Sequence, residues 1–307
     1  MPIYVVGARA QRVRIPNQAL SITVTGSVAG AALDIRAGAQ TVVRSSDHHA
    51  VLPHVDAPVV VTLTPRGAAR FAPGTVVHLA IAHDTPTVAD PVQVVFDPVD
   101  ISGEAVVVFA ELTPAGPDIE VAVSALADTP MNPLAAAARS VARATVGRGR
   151  PARATPVVLA CDTSASMRQW FADGSVAAAA DIVVGVADAL GLGAVNAVLV
   201  GAEVTPVPQP PTPDALATML RQATPRWSAG ARWSKLAPGP ERVIVCSDYV
   251  PTQVRQRFPV IAVSVDQHLD PAARLPAPPP GQDATAALLA HPPTLQRVVA
   301  AVVRDLS

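Results

Sequence analysis

The hydrophobic positions of this chain change rhythm part-way along it. Up to about residue 125 they fall in short runs rich in Val, Ile and Thr: ALSITVTGSV, APVVVTLTP, TVVHLAIAH, DPVQVVFD, EAVVVFAEL and DIEVAVSAL. Pro, Gly and Asp interrupt them roughly every ten residues, the spacing of a β-sandwich or barrel. Runs that alternate, such as VHLAIAH, predict strands with one buried and one wet face.

NPLAAAARSVARATVG then predicts a helix, with Pro133 in its first turn and Gly147 at its end. GRGRPARATP has the Gly/Pro/Arg content of an exposed linker, which sets the boundary between the halves near residue 150. Beyond it strand and helix alternate. TPVVLAC, NAVLVGAEVTPV, RVIVCSD and FPVIAVSVD read as strands, the second with a short edge strand at its end. DGSVAAAADIVVGVADALG, PDALATMLRQ and PTLQRVVAAVVRDL read as helices, the last with Leu295, Val298, Val299, Val302, Val303 and Leu306 in one stripe. Continuous apolar strands between helices predict a mostly parallel sheet covered on both faces. The expected fold class is a multidomain α+β chain: a β-sandwich over 1–130, a terminal helix and linker over 131–153, and a Rossmann-like α/β domain over 154–307.

Composition narrows the function classes. Half of the 307 residues are hydrophobic and the formal net charge is −1, with Lys235 the only lysine. No basic face stands out, which argues against a nucleic-acid partner. The N-terminus meets charge too early for a signal peptide, and the longest apolar region carries Asp181 and Asp188, so no membrane span is expected. Cys161 and Cys246 sit in apolar strands, the setting of reduced, buried thiols. A soluble, cytoplasmic protein is the expectation.

The candidate chemistry gathers where two strands end. TPVVLAC runs into Asp162, Thr163, Ser164, Ala165 and Ser166, and RVIVCS runs into Asp248. In open α/β sheets ligands bind beyond the carboxyl ends of the strands. Oxygens at i, i+2 and i+4 of one turn can converge on a hard cation such as Mg²⁺ or Mn²⁺, and Asp248 could add a second carboxylate. Asp and Ser also favour helix N-caps, so the turn caps a helix, holds an ion, or does both.

DTSAS resembles the metal-ion-dependent adhesion site, Asp-x-Ser-x-Ser, of von Willebrand factor A domains. The resemblance implies that Asp162, Ser164, Ser166 and Asp248 hold an Mg²⁺-type ion. It further implies that a partner protein completes the shell with an acidic side chain, and that Cys161 and Cys246 lie on adjacent strands as thiols. The family's threonine is replaced: WSAGARWSKL offers Ala231 there, with Ser228 the nearest hydroxyl.

In the first half, ITVTGSVAGAALDI with VRSSD, and EAVVVFAELTPAGPDIEVAVSALAD, resemble the TerD family of tellurium-resistance and stress proteins, whose domain is a β-sandwich. The second of these, with the following NPLAAAARSVARATVG, resembles the end of that domain. The TerD-plus-von-Willebrand order resembles TerF-like members. TerD domains can bind Ca²⁺ through acidic clusters; here only Asp34 and Asp47 match, so weak calcium binding or none is expected. DHHAVLPHVD raises a transition-metal alternative through His48, His49 and His54 with Asp47 and Asp56, against the plainer reading of a solvated loop.

No Gly-x-Ser-x-Gly or Gly-x-x-x-x-Gly-Lys motif is present. The expected function is non-enzymatic, metal-assisted protein interaction in a bacterial tellurite-resistance or stress system. The alternatives are a metal-free scaffold with degenerate sites and an aspartate-dependent phosphatase-like hydrolase. The Pro-rich stretches TPVPQPPTPDA and LPAPPPGQDA read as spacers or contact segments.

Overall fold

The computed structural model describes residues 2–7, 11–84, 91–125, 128–147, 155–236, 239–265 and 273–307. The chain forms two compact units, Met1–Thr129 and Pro130–Ser307. Together they make a mixed α/β protein with several sheets.

The first unit holds strands β1 (Ile3–Val6), β2 (Arg12–Pro16), β3 (Leu20–Gly26), β4 (Ala31–Arg36), β5 (Val43–Ser46) and β6 (His49–Leu52). It continues with β7 (Val59–Pro65), β8 (Val76–His83), β9 (Gln93–Phe96), β10 (Val99–Asp100), β11 (Val107–Ala115) and β12 (Asp118–Val123). One sheet runs β1-β9-β8-β3-β6-β5 with β10 added on β8, and the other runs β2-β12-β11-β7-β4. All pairs are antiparallel except β1 with β9. The alternation in the sequence does the sorting: Leu20, Ile22 and Val24 of β3 are buried, whereas Ser21 and Thr23 are half-exposed. Inward residues of both sheets form a single apolar core, where Phe96 of one sheet meets Phe109 of the other edge-on at 6.4 Å.

The second unit opens with helix α1 (Pro133–Val146). Strands β13 (Val157–Asp162), β14 (Val195–Val200), β15 (Val204–Pro206), β16 (Arg242–Ser247), β17 (Val260–Val263) and β18 (Arg274–Leu275) form a mixed sheet, ordered β15-β14-β13-β16-β17-β18. Its pairs are parallel apart from the edge pair β14 with β15. The other helices are α2 (Arg168–Ala172), α3 (Ser175–Ala189), α4 (Ala215–Gln222), α5 (Thr252–Arg255), α6 (Ala284–Ala290) and α7 (Pro292–Leu306).

The sheet is covered on both faces, but unequally. Val157, Leu159, Cys161, Ile244, Cys246 and Ile261 point into a core shared with every helix except α5. Their neighbours Ala160 and Val245 point the other way, towards Trp233, Leu236, Val250 and Val254. On α7 the six-residue stripe read from the sequence is buried throughout.

Helix α1 departs from expectation. The boundary expected near residue 150 puts it at the end of the first half, yet it belongs to the second unit and lies over α3. α3 is apolar nearly all round because all its residues but Asp188 are buried. Gly185 allows the close approach, since a Cβ there would lie 2.2 Å from the Ala135 carbonyl oxygen. Arg139 and Arg143 of α1 are buried and reach the Asp188 carboxylate at 3.6 and 3.3 Å. Asn132, just before α1, donates to Asp181 Oδ1 at 3.1 Å and to the Asp214 carbonyl at 2.9 Å. Gly147 ends the helix at φ 76°, as its position suggested, and most of the expected linker lies outside the described residues. Among the described residues no single helix is long and apolar enough to cross a membrane.

Candidate cation site at the strand ends

Strand β13 delivers Asp162 to the carboxyl edge of the sheet, where the chain turns into one turn of 3-10 helix, Ala165–Met167. The capping reading is not what the side chains do. Neither that turn nor α2 receives a side-chain cap. Instead Asp162 Oδ1 accepts the Ser164 N–H at 2.6 Å, closing a local turn, and the Ser164 and Ser166 hydroxyls lie 3.1 Å apart. Asp162 Oδ2 accepts the Ser247 hydroxyl at 2.6 Å. The same Ser247 oxygen accepts the Tyr249 N–H at 3.1 Å, so one serine ties the end of β16 to the end of β13.

Ser247 was not among the residues singled out in the sequence. Its signal is the register: Cys161 pairs with Cys246, so the residues one step further along the two strands are neighbours. Both cysteines are free and buried, as expected. Burial pushes the Cys161 thiol up to about 12 and raises Cys246 well above its ordinary value.

Asp248 follows β16 and is half-buried; its N–H donates to Met167 Sδ at 3.2 Å. Its Oδ1 is buried without a hydrogen-bond partner among the described residues. Asp162 is 3% exposed, and burial raises its pKa. The Ser247 and Ser164 hydrogen bonds pull it back down, while the Asp248 charge pushes it further up. Asp162, Ser164 and Ser166 share one turn, and the Asp248 charge on the neighbouring strand end is felt at Asp162; oxygens of this kind suit a hard divalent cation.

The loop expected to supply the threonine does come alongside. Ser228 bridges to Ser164 in parallel fashion, and its carbonyl accepts the Ala165 N–H at 2.9 Å. Its hydroxyl is directed at the Gly230 carbonyl at 3.0 Å, and Ala231 packs as a hydrophobic residue beneath.

The other candidates disperse. The Asp34 carboxylate is held by Arg36 at 3.3 Å and Arg44 at 3.1 Å, and Asp47 is paired with Arg66. The histidines have separate partners: His48 the Val28 and Ala31 carbonyls, His49 the Ser21 hydroxyl, and His54 the Asp56 carboxylate. Among the described residues no three His, Cys, Asp or Glu side chains converge as a metal cluster.

No protein-family model matches this chain. No curated protein matches it either. Among solved structures, proximal thread matrix protein 1 from the mussel byssus is similar at 13% identity with a TM-score of 0.31. The alignment covers 48% of this chain, and the chain spans about half, 48%, of that protein. A likeness of that extent does not define a fold.

Proposed function

We propose that this chain is a non-enzymatic, cation-assisted protein-interaction protein of a bacterial tellurite-resistance or stress-response system, working in the cytoplasm. In this reading the first unit is a TerD-like β-sandwich and the second a von Willebrand A-like domain with a Rossmann-like sheet. The strand grammar and the DTSAS motif support the assignment. The observation that carries the function is the buried, unpartnered Asp248 Oδ1 near the Asp162 charge. A cation would relieve both burial and like-charge repulsion there. Asp162, Ser164, Ser166 and Asp248 would hold Mg²⁺ or Mn²⁺. Such an ion supplies an open coordination position for an acidic side chain of a partner protein. Ca²⁺ binding by the first unit is not part of this reading, because arginines already neutralise Asp34 and Asp47.

A metal-free scaffold is the second reading, favoured by Ala231 and by the Ser228 hydroxyl being turned to Gly230. A phosphatase-like role has less support, since both Asp162 oxygens are engaged inside the fold. Calorimetric titration of Mg²⁺, Mn²⁺ and Ca²⁺ into metal-stripped protein separates the first two readings, with Asp248→Asn and Ser166→Ala alongside. Saturable Mg²⁺ or Mn²⁺ binding to the parent protein, weakened in both variants, supports the cation site. No binding to the parent protein favours the scaffold.

A further inference from the structure

At the opposite end of the parallel strands, where β17 begins, a cavity of about 380 Å³ opens between the α5–β17 connection and the last turn of α7. It is lined chiefly by Arg255, Arg257, Phe258, Val260, Arg304 and Asp305. Three exposed arginines and one half-buried carboxylate are thus among the described residues of this lining. Arginine stays charged at any physiological pH, so the cavity is cationic whatever the medium.

Each arginine is tethered in a way that leaves donors over. Arg255 donates through Nε to the Val250 carbonyl at 3.1 Å. Arg257 lies over the Phe258 ring, its guanidinium carbon 4.8 Å from the ring centre. Arg304 donates through Nε to Asp305 Oδ1 at 3.0 Å. An Nε anchor fixes the guanidinium plane while the Nη edge remains able to make the paired hydrogen bonds that suit phosphate oxygens. The volume exceeds what one phosphate needs and falls within the range of roughly 300–1,000 Å³ typical of small-molecule sites.

We propose that this cavity binds a phosphorylated small molecule, with its phosphoryl groups on Arg255, Arg257 and Arg304. The site lies at the other sheet edge from Asp162 and Asp248 and does not depend on the cation reading. The carbonyl end of α7 carries partial negative charge, which Arg304 in the last turn opposes. Affinity therefore rests on the guanidinium groups and falls as salt rises.

The test is calorimetric titration of the full chain with inorganic phosphate, pyrophosphate, ADP and sulfate, at low and moderate salt. Arg257→Glu and Arg304→Glu are measured in parallel, with circular dichroism confirming that each folds. Saturable 1:1 binding of pyrophosphate or ADP, tighter than sulfate and weakened at least tenfold in both variants, is expected. Pyrophosphate binding with ADP excluded would mark a short polyphosphate ligand; ADP binding tighter than pyrophosphate would mark a nucleotide. Absence of saturable binding, equal binding of sulfate, or affinity unchanged in both folded variants overturns the proposal.

Discussion

Asp34 and Asp47, in the first unit, each lie against arginine side chains at the surface, whereas Asp162 in the second unit is buried and held by hydroxyl and amide donors. The sequence offers all of them as short acidic side chains near strand ends. What separates them is the charge of their neighbours. A guanidinium beside a carboxylate satisfies it and repels a cation; a serine hydroxyl satisfies it and leaves its charge in place. Asp181, buried in α3 with an asparagine as its hydrogen-bond donor, belongs with Asp162 in this respect. The second unit keeps acidic groups inside, and the first neutralises its candidates outside.

The largest effect expected from breaking this contrast comes from the packing that keeps the second unit's acids buried. Gly185→Val forces side-chain atoms into the Ala135 carbonyl and separates α3 from α1. A loss of about 3 kcal/mol is expected by thermal or urea unfolding, with the all-β circular dichroism signal of the first unit retained. A loss below about 1 kcal/mol would mean that α1 is only loosely laid on α3.

Next in size is Asp162→Ala, which leaves the Ser164 N–H without its acceptor and leaves the Ser247 hydroxyl only the Tyr249 carbonyl, 2.8 Å away. This costs about 2–3 kcal/mol and abolishes divalent-cation binding, while Asp34→Ala and Asp47→Ala leave binding unchanged. Calorimetry on the three variants checks the contrast directly, and cation binding lost in Asp47→Ala would reverse it.

Asp181→Asn works in the opposite direction. Burial outweighs the opposing Asn132 hydrogen bond and Arg221 charge and lifts the Asp181 pKa from 3.8 to about 6. Because the folded value is raised, the native state favours the protonated acid. The associated stability is fully present below about pH 4 and is lost as pH rises through about 6. The amide keeps the Asn132 contact without the charge, so the variant should be more stable than the parent by about 1–2 kcal/mol above pH 6.5. The advantage should vanish below pH 4, which unfolding at several pH values measures. Smallest is Arg44→Ala, where losing a half-exposed ion pair with Asp34 costs under about 1 kcal/mol and is erased by salt.

Much of this arrangement was legible in the residues themselves. The α7 stripe, the strand ends at Asp162 and Asp248, and the short edge strand after β14 follow from periodicity and turn chemistry. Of the first-unit strands outside the sequence runs, β4 and β6 alternate between buried and half-buried positions but are short, and others carry no alternation at all. β5 is exposed along its whole length and β2 buries only Ile15, so neither shows an alternating signal. Ser247 was hidden because its meaning depends on which strand lies beside β16, a non-local pairing. The affiliation of α1 was hidden for the same reason: its arginines look like surface residues until Asp188 is placed opposite them.

The position of α1 has a consequence for how the chain comes to be made. Helix Pro133–Val146 precedes in the sequence the helix Ser175–Ala189 that it covers. During synthesis from the N-terminus it leaves the ribosome first, with its alanines and arginines facing water and no counterpart yet translated. The second unit can close only after α3 has emerged, and until then α1 is a nascent segment awaiting its mate. A coding fragment begun at β13 would yield the sheet and α3 with that seat empty.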